Sequence, residues 1–236
     1  MNRERTNLIR NVVDQKLPSI MRNSKHFMYP FFLHVYGRKL TKTAMNFKQD
    51  VFRIPPKERL VLSEKLGPIT RDRKTDLTLE SLDYILGNID SSISNIIDVG
   101  CGKGYLLEQI SEKFPHIELF GLDVITGSQF NNSHKLNAEI TSLPFCDRSI
   151  DCVVCTHTLE HVVDIRSAIS ELKRICRKRM ILVVPKQRYF RYTFDTHIHF
   201  FESEEQLAAL VGMKEYDCRE IKGDWVYIVG VGSHGI

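Results

Sequence analysis

The stretch Ile96-Ile97-Asp98-Val99-Gly100-Cys101-Gly102-Lys103-Gly104 constrains this chain more than any other. A short β-branched run enters three glycines at alternate positions, and Tyr105-Leu106-Leu107-Glu108-Gln109-Ile110 opens a helix straight afterwards. Glycine is needed where the backbone takes positive φ or must approach a ligand closely. A helix that begins at such a turn aims unpaired N–H groups into the crevice at the strand's C-terminal end. Nineteen residues beyond Gly104, Phe120-Gly121-Leu122-Asp123 reads as a second strand ending in a carboxylate. The pair predicts a nucleotide-like ligand, with Asp123 placed to accept from ribose hydroxyls.

The spacing narrows the ligand. A dinucleotide fingerprint is G-x-G-x-x-G and delivers a pyrophosphate to the helix N-terminus. Here the run is G-x-G-x-G, preceded by Asp98, whose carboxylate would repel a pyrophosphate. An acid at that point suits a ligand carrying a positive amino or sulfonium group.

Around this turn the chain alternates apolar strands with helical patterns. Strand signals fall at 95–99, 117–122, 151–155, 179–184, 214–221 and 225–231; helical patterns fall at 103–114, 164–177 and 203–211. Alternation of this kind predicts a mostly parallel sheet covered on both faces. The last two strand signals have no helix between them and predict an antiparallel hairpin at the sheet edge. Before the sheet, residues 4–17 read as an amphipathic helix ended by Pro18. His26–Tyr36 is aromatic-rich and closed by Gly37, and 71–87 reads as a further helix. The expected organisation is a helical extension over 1–90, serving as a lid or in contact with substrate or a second protomer, and an α/β domain over 91–236.

Further along, Glu139-Ile140-Thr141-Ser142-Leu143-Pro144-Phe145-Cys146-Asp147 runs into Asp151 and the fourth strand. Thr156-His157-Thr158-Leu159-Glu160-His161-Val162 follows that strand. With the glycine turn and Asp123, these motifs resemble the class I S-adenosylmethionine-dependent methyltransferases, in the branch called methyltransferase type 11. The resemblance covers roughly residues 94–185. It implies a Rossmann-like, doubly wound α/β fold of the seven-stranded type. It also implies S-adenosyl-L-methionine as cofactor, with S-adenosyl-L-homocysteine as product. Carried over by position, Asp98, Gly100, Gly102 and Gly104 hold the methionine end, and Asp123 meets the ribose. Glu139 with the Ile140 N–H reads the adenine, and Thr156 and His157 sit beside the sulfonium. Only sixteen positions separate Asp123 from Glu139, so the helix and third strand expected there are abbreviated.

The methyl group arrives already activated, so the protein's task is mainly alignment; a hydroxyl acceptor also needs a base, for which histidine is suited near neutral pH. His157 and His197 are the candidates, the latter within Asp195–Phe201, a segment similar to the family's stretch bordering the substrate pocket. Asp195, His197 and His199 alternate as a facial metal set would, but no metal is expected. Cys152 and Cys155 have C-x-x-C spacing on a strand, where alternation sends the two thiols to opposite faces.

Charge bears on partners. Residues 1–50 hold ten Lys/Arg against Glu4, Asp14 and Asp50, whereas the whole chain is only +4. A basic arm of this kind faces phosphates, an anionic membrane or an acidic partner. Arg177-Lys178-Arg179, Lys186, Arg188 and Arg191 flank Tyr189 and Phe190, which keeps nucleic acid among the partners considered. The longest uncharged N-terminal run, about 12 residues between Lys25 and Arg38, is short of the roughly 20 needed to span a bilayer. Six cysteines without a disulfide spacing, and no apolar leader, point to a reducing cytoplasm. The expectation is a cytoplasmic monomer or homodimer that methylates a small molecule at a hydroxyl or amine. RNA or protein methylation, and a catalytically silent partner subunit, are the alternatives.

Overall fold

The computed structural model describes residues 17–67, 74–124 and 133–231. The predicted helix at 4–17 and the turn-like run 125–132 fall outside these residues, except for Leu17. The chain forms two compact units. The first holds residues up to 73 together with Arg188–Phe200, and the second holds Lys74–Gln187 and Phe201 onward. The sequence pattern puts a boundary at 90; the compact units divide at 73.

The second unit is a seven-stranded sheet. Its strands are β1 (Asn95–Val99), β2 (Glu118–Asp123), β3 (His134–Asn137), β4 (Ile150–Thr156), β5 (Cys176–Pro185), β6 (Asp217–Ile221) and β7 (Asp224–Gly230). The order is β3-β2-β1-β4-β5-β7-β6, parallel except that β7 runs antiparallel to both neighbours. β3 has four residues, the abbreviation that the short Asp123-to-Glu139 spacing demands. Lys222 and Gly223, both at positive φ, turn the β6–β7 edge hairpin.

Side chains alternate between two cores, as the pleat requires. Ile97, Val99, Val153, Cys155, Leu182 and Val184 face one core. Ile96, Cys152, Val154, Ile181 and Val183 face the other, so the two thiols do point to opposite sides. The first core is covered by α6 (Ile165–Ile175) and α7 (Glu204–Val211), the second by α4 (Leu79–Gly87) and α5 (Tyr105–Lys113). Fully burying each such aliphatic contributes roughly 1.5–3 kcal/mol, which fixes the strand faces. α7 opens on a capping box, Ser203 with Gln206. α4 starts at Leu79 because the Thr78 side chain accepts from the Ser81 N–H at 3.0 Å, a later start than the apolar periodicity suggests.

At the N-terminal edge of the sheet a buried carboxylate ties three strands together. Asp151 accepts from the Ser94 N–H at 2.9 Å and from Arg177 Nε at 2.6 Å. Lys178 Nζ lies 3.2 Å from its second oxygen, and the Asp151 N–H donates to Asn95 Oδ1 at 2.6 Å. Burial alone would raise this carboxyl's pKa, but the Ser94 amide, Arg177 and Lys178 outweigh it and hold the value low.

The first unit contains α1 (Ser19–Arg22), α2 (Lys25–Asp50) and α3 (Pro56–Leu66). The aromatic-rich stretch is helical and does not stop at Gly37. That residue, at φ 66° and ψ 170°, breaks α2, and the helix resumes beyond it. Arg188–Phe200 packs along this helix. Phe194 stacks on Phe32 at 4.8 Å, Tyr36 Oη donates to the Phe194 carbonyl at 2.8 Å, and Lys48 Nζ donates to the Phe190 carbonyl at 2.7 Å. No helix among the described residues is long and apolar enough to cross a membrane.

Candidate functional site

The site is built at the C-terminal rim of the sheet, beginning with the glycine turn. The Gly100 and Cys101 N–H groups both donate to the Leu122 carbonyl, at 2.7 and 3.1 Å, which pins the end of β1 to β2. The Gly102 N–H donates to Asp123 Oδ2 at 2.8 Å. Gly104 sits in the left-handed region at φ 76° as the N-cap of α5. Gly100 is required twice over. Its φ is 82°, and a Cβ there would lie 2.0 Å from Thr158 Oγ1.

Asp98, four residues into β1, is 2% exposed, and its Oδ1 accepts no hydrogen bond from the described residues. Burial, reinforced by the nearby Asp123 charge, pushes its pKa up to about 7. A buried carboxylate oxygen without a donor is costly unless a ligand supplies one. A ligand that presents an ammonium here brings both the donors and the counter-charge. The residues therefore fit the amino-acid end of S-adenosylmethionine. Asp123 ends β2 on the same rim, and Thr156 ends β4, half-buried. Glu139 is exposed in the turn after β3, with its carbonyl accepting from the Ser142 N–H at 3.0 Å. Ile140 is buried and joins the first core. The eight positions expected to hold the cofactor thus include four acidic or hydroxyl side chains, three turn glycines and one buried anchor.

His157 does not have the setting of a free base. It sits at positive φ (48°) straight after β4, its N–H donating to the Val183 carbonyl at 2.9 Å. Its Nδ1 lies 3.4 Å from Glu160 Oε1 and its Nε2 lies 3.5 Å from Asp224 Oδ2, both carboxylates being fully buried. Burial alone would depress its pKa; the Asp224 and Glu160 charges overcome that and raise it to about 10. At neutral pH the ring is an imidazolium, with no lone pair to receive a proton. Asp224 opens β7 opposite Pro185, and also accepts from Ser81 Oγ at 3.3 Å at the start of α4. His157 thus closes a charged link between the β4 turn, β7 and α4. It is better described as an anchor than as a base.

His197 lies in the first unit. Its Nδ1 is 3.4 Å from Asp195 Oδ2, and Asp195 Oδ1 also accepts from Thr193 Oγ1 at 2.7 Å. The Asp195 carboxylate thereby orients the imidazole. The basic residues grouped by sequence separate. Arg177 and Lys178 engage Asp151 and Arg179 engages Asp90, while Lys186 pairs with Glu220 at the far end of the ten-residue β5. Phe190 is 1% exposed beneath the Arg22 guanidinium, so it offers no stacking face.

Sequence reasoning overlooked Thr158, Glu160, Asp224 and Ser81 as working parts. Thr158 covers Gly100 and donates to the Thr156 carbonyl at 3.0 Å. A buried-acid signal was present, since Asp224 opens a strictly apolar strand, but its partner is 67 residues away in the chain.

Comparison with known proteins agrees with this geometry. Residues 97–184 match the family described as a methyltransferase domain. A malonyl-[acyl-carrier protein] O-methyltransferase of Hahella chejuensis is 29% identical over 147 residues, covering 53% of this chain and 52% of that protein. A Coxiella burnetii relative of the same activity is 28% identical over 109 residues, 46% of this chain and 37% of that protein. A demethylmenaquinone methyltransferase of Thermotoga maritima is 25% identical over 95 residues, 38% of this chain and 42% of that protein. The chain spans about half or less of the length of these curated relatives. Among solved structures, a SAM-dependent methyltransferase from Aquifex aeolicus aligns over 76% of this chain and all of its own, at 15% identity and a TM-score of 0.51, which shows the fold. The glycine turn, the rim carboxylates and the matched segment coincide, and the chain contains a class I S-adenosylmethionine-dependent methyltransferase domain.

Proposed function

We propose that this protein transfers a methyl group from S-adenosylmethionine to a small-molecule acceptor, at a hydroxyl or amine of a sugar, lipid precursor or other metabolite. The observation that carries the reading is Asp98, a buried carboxylate with an unsatisfied oxygen beside a three-glycine turn. The cofactor supplies an electrophilic methyl carbon when bound. Asp98 takes the cofactor's ammonium, with the backbone around Gly100, Gly102 and Gly104 closing on the same end. Asp123 accepts from the ribose hydroxyls, while Glu139 and the Ile140 N–H read the adenine. Thr156 and Thr158 wall the end of β4, with the His157 imidazolium holding that turn in place.

His197, oriented by Asp195, is the base for a hydroxyl acceptor; an amine acceptor would need only its lone pair exposed. The relatives' names give a malonyl group on an acyl-carrier protein in two cases and demethylmenaquinone in the third, which supports a metabolite-type acceptor in general and neither a sugar nor an amine in particular. The test is calorimetry with S-adenosylhomocysteine. The wild type is expected to bind, and Asp98→Ala and Asp123→Ala to weaken binding by about 10- to 100-fold, the value of a charge-assisted hydrogen bond. Variants that bind like wild type would sink the assignment. Turnover is then followed on candidate metabolites as a gain of about 14 daltons per transfer, a methyl group taking the place of a proton.

A further inference from the structure

The two units carry opposite charge. The described residues of the first, 17–67 and 188–200, hold twelve Lys/Arg against four Asp/Glu, a balance of +8. The second holds fifteen Lys/Arg against twenty-two Asp/Glu, a balance of −7. The units hold similar numbers of cations, but only the first has few acids to offset them, so the net positive charge is concentrated there.

That unit also gathers the exposed apolar side chains. Eight large hydrophobics stand out in solvent among the described residues, and six belong to the first unit: Ile20, Tyr29, Phe31, Phe52, Val61 and Tyr189. Single exposed hydrophobics are ordinary; their concentration in one basic unit is not. On α2 the Phe27 and Phe31 rings are 5.5 Å apart, with Phe31 half exposed. Ile54, just before α3, and Val61 and Leu62 on it floor an open groove of about 460 Å³ edged by Lys57, Lys65 and Glu58.

We propose that the first unit seats this protein on an anionic lipid surface, its exposed cations, Lys57 and Lys65 among them, meeting the headgroups while Phe31, Phe52 and the α3 groove take apolar contact. Cations beside exposed aromatic and aliphatic side chains form the signature of an interfacial binder. Nucleic acid would use the cations and stack on the aromatics, but has no use for exposed Ile20, for Val61 or for an aliphatic groove. The lipid surface uses both.

The experiment is flotation of the full chain with vesicles of phosphatidylcholine alone or with about 30% phosphatidylglycerol, at about 0.1 M and about 1 M salt. Binding is expected only to the anionic vesicles and only at the lower salt. Lys57→Gln and Lys65→Gln should each weaken it about fivefold, the effect of one basic residue near such a surface. Phe31→Ser and Phe52→Ser should weaken it as well while leaving its salt dependence unchanged, the mark of apolar insertion. All four residues are on the surface, and S-adenosylhomocysteine binding by the second unit reports that each variant is folded. No flotation, or flotation indifferent to both phenylalanine changes, overturns the proposal. So does tight, salt-steep binding of single-stranded RNA by a protein that ignores the vesicles.

Discussion

β1 and β4 are neighbours in the sheet, and each buries an aspartate, Asp98 near the C-terminal end of one and Asp151 near the N-terminal end of the other. The Asp151 end is saturated, with a backbone amide and two cations on one carboxylate. The Asp98 end is left open, with an oxygen that accepts from none of the described residues and a pKa raised to about 7. The two ends have equal burial and opposite treatment. A carboxylate that serves the fold is given its partners by the fold, whereas one that serves a ligand is kept short of them at a cost in stability.

His157 complicates this division, because the ligand rim also holds a buried charge with two carboxylates facing it at 3.4 and 3.5 Å. Asp224→Ala, which leaves the imidazolium with one buried partner, should produce the largest loss of stability, about 3–5 kcal/mol in denaturant unfolding. A loss below about 1 kcal/mol would show that the rim does not depend on this link. Raising the pH should also loosen it. The His157 pKa is raised in the fold, so its contribution is full below the ordinary histidine value and fades as the pH climbs towards about 10.

The two aspartates themselves should respond with opposite signs. Asp151→Asn should destabilise by about 2–3 kcal/mol near neutral pH, less than for a fully buried pair because Arg177 and Lys178 stay partly solvated. That penalty should shrink as acid protonates the wild-type carboxyl, since its folded pKa is held low. Asp98→Asn should instead raise the melting temperature at about pH 8 and leave it unchanged at about pH 4, because the raised pKa makes the ionised form a burden only as pH climbs towards 7. Thermal unfolding at both pH values checks the pair, and destabilisation by Asp98→Asn at pH 8 would end the contrast.

The smallest effect sharpens the functional side of the comparison. An ammonium ligand needs Asp98 ionised, so S-adenosylhomocysteine affinity should rise with pH and level off above about 7. Below that point each pH unit should weaken binding by up to about tenfold, one pKa unit being worth 1.36 kcal/mol. Titration calorimetry from about pH 5.5 to 8.5 reads the slope, and Asp98→Asn should flatten it.

Much of this was legible in the chain itself. The strand at 95–99, the glycine turn and the helix after it are local, because glycine's backbone freedom and the change of period from two to 3.6 act over a few residues. Asp98 and Asp123 could be assigned to the rim for the same reason, each ending a recognisable strand. A shortened third strand followed from counting positions between Asp123 and Glu139; its place at 134–137 came from the structure. The first unit was less legible: the break at Gly37 gives no hint that the helix resumes, and α3 has too few buried side chains to impose a clear period.

Sequence alone determined the alternation of strands and helices and the glycine turn, since these follow from periodicity and backbone conformation. Only the tertiary structure decided what each charge does. Thr158 comes to rest over Gly100, Asp224 reaches His157, and Arg177 finds Asp151, all through the crossovers of the sheet. A side chain's protonation is set by which charges and how little water surround it, and those neighbours come from remote parts of the chain. Hence the histidine that read as a base is held as a cation, and Asp98 is left with a buried oxygen that accepts from none of the described residues.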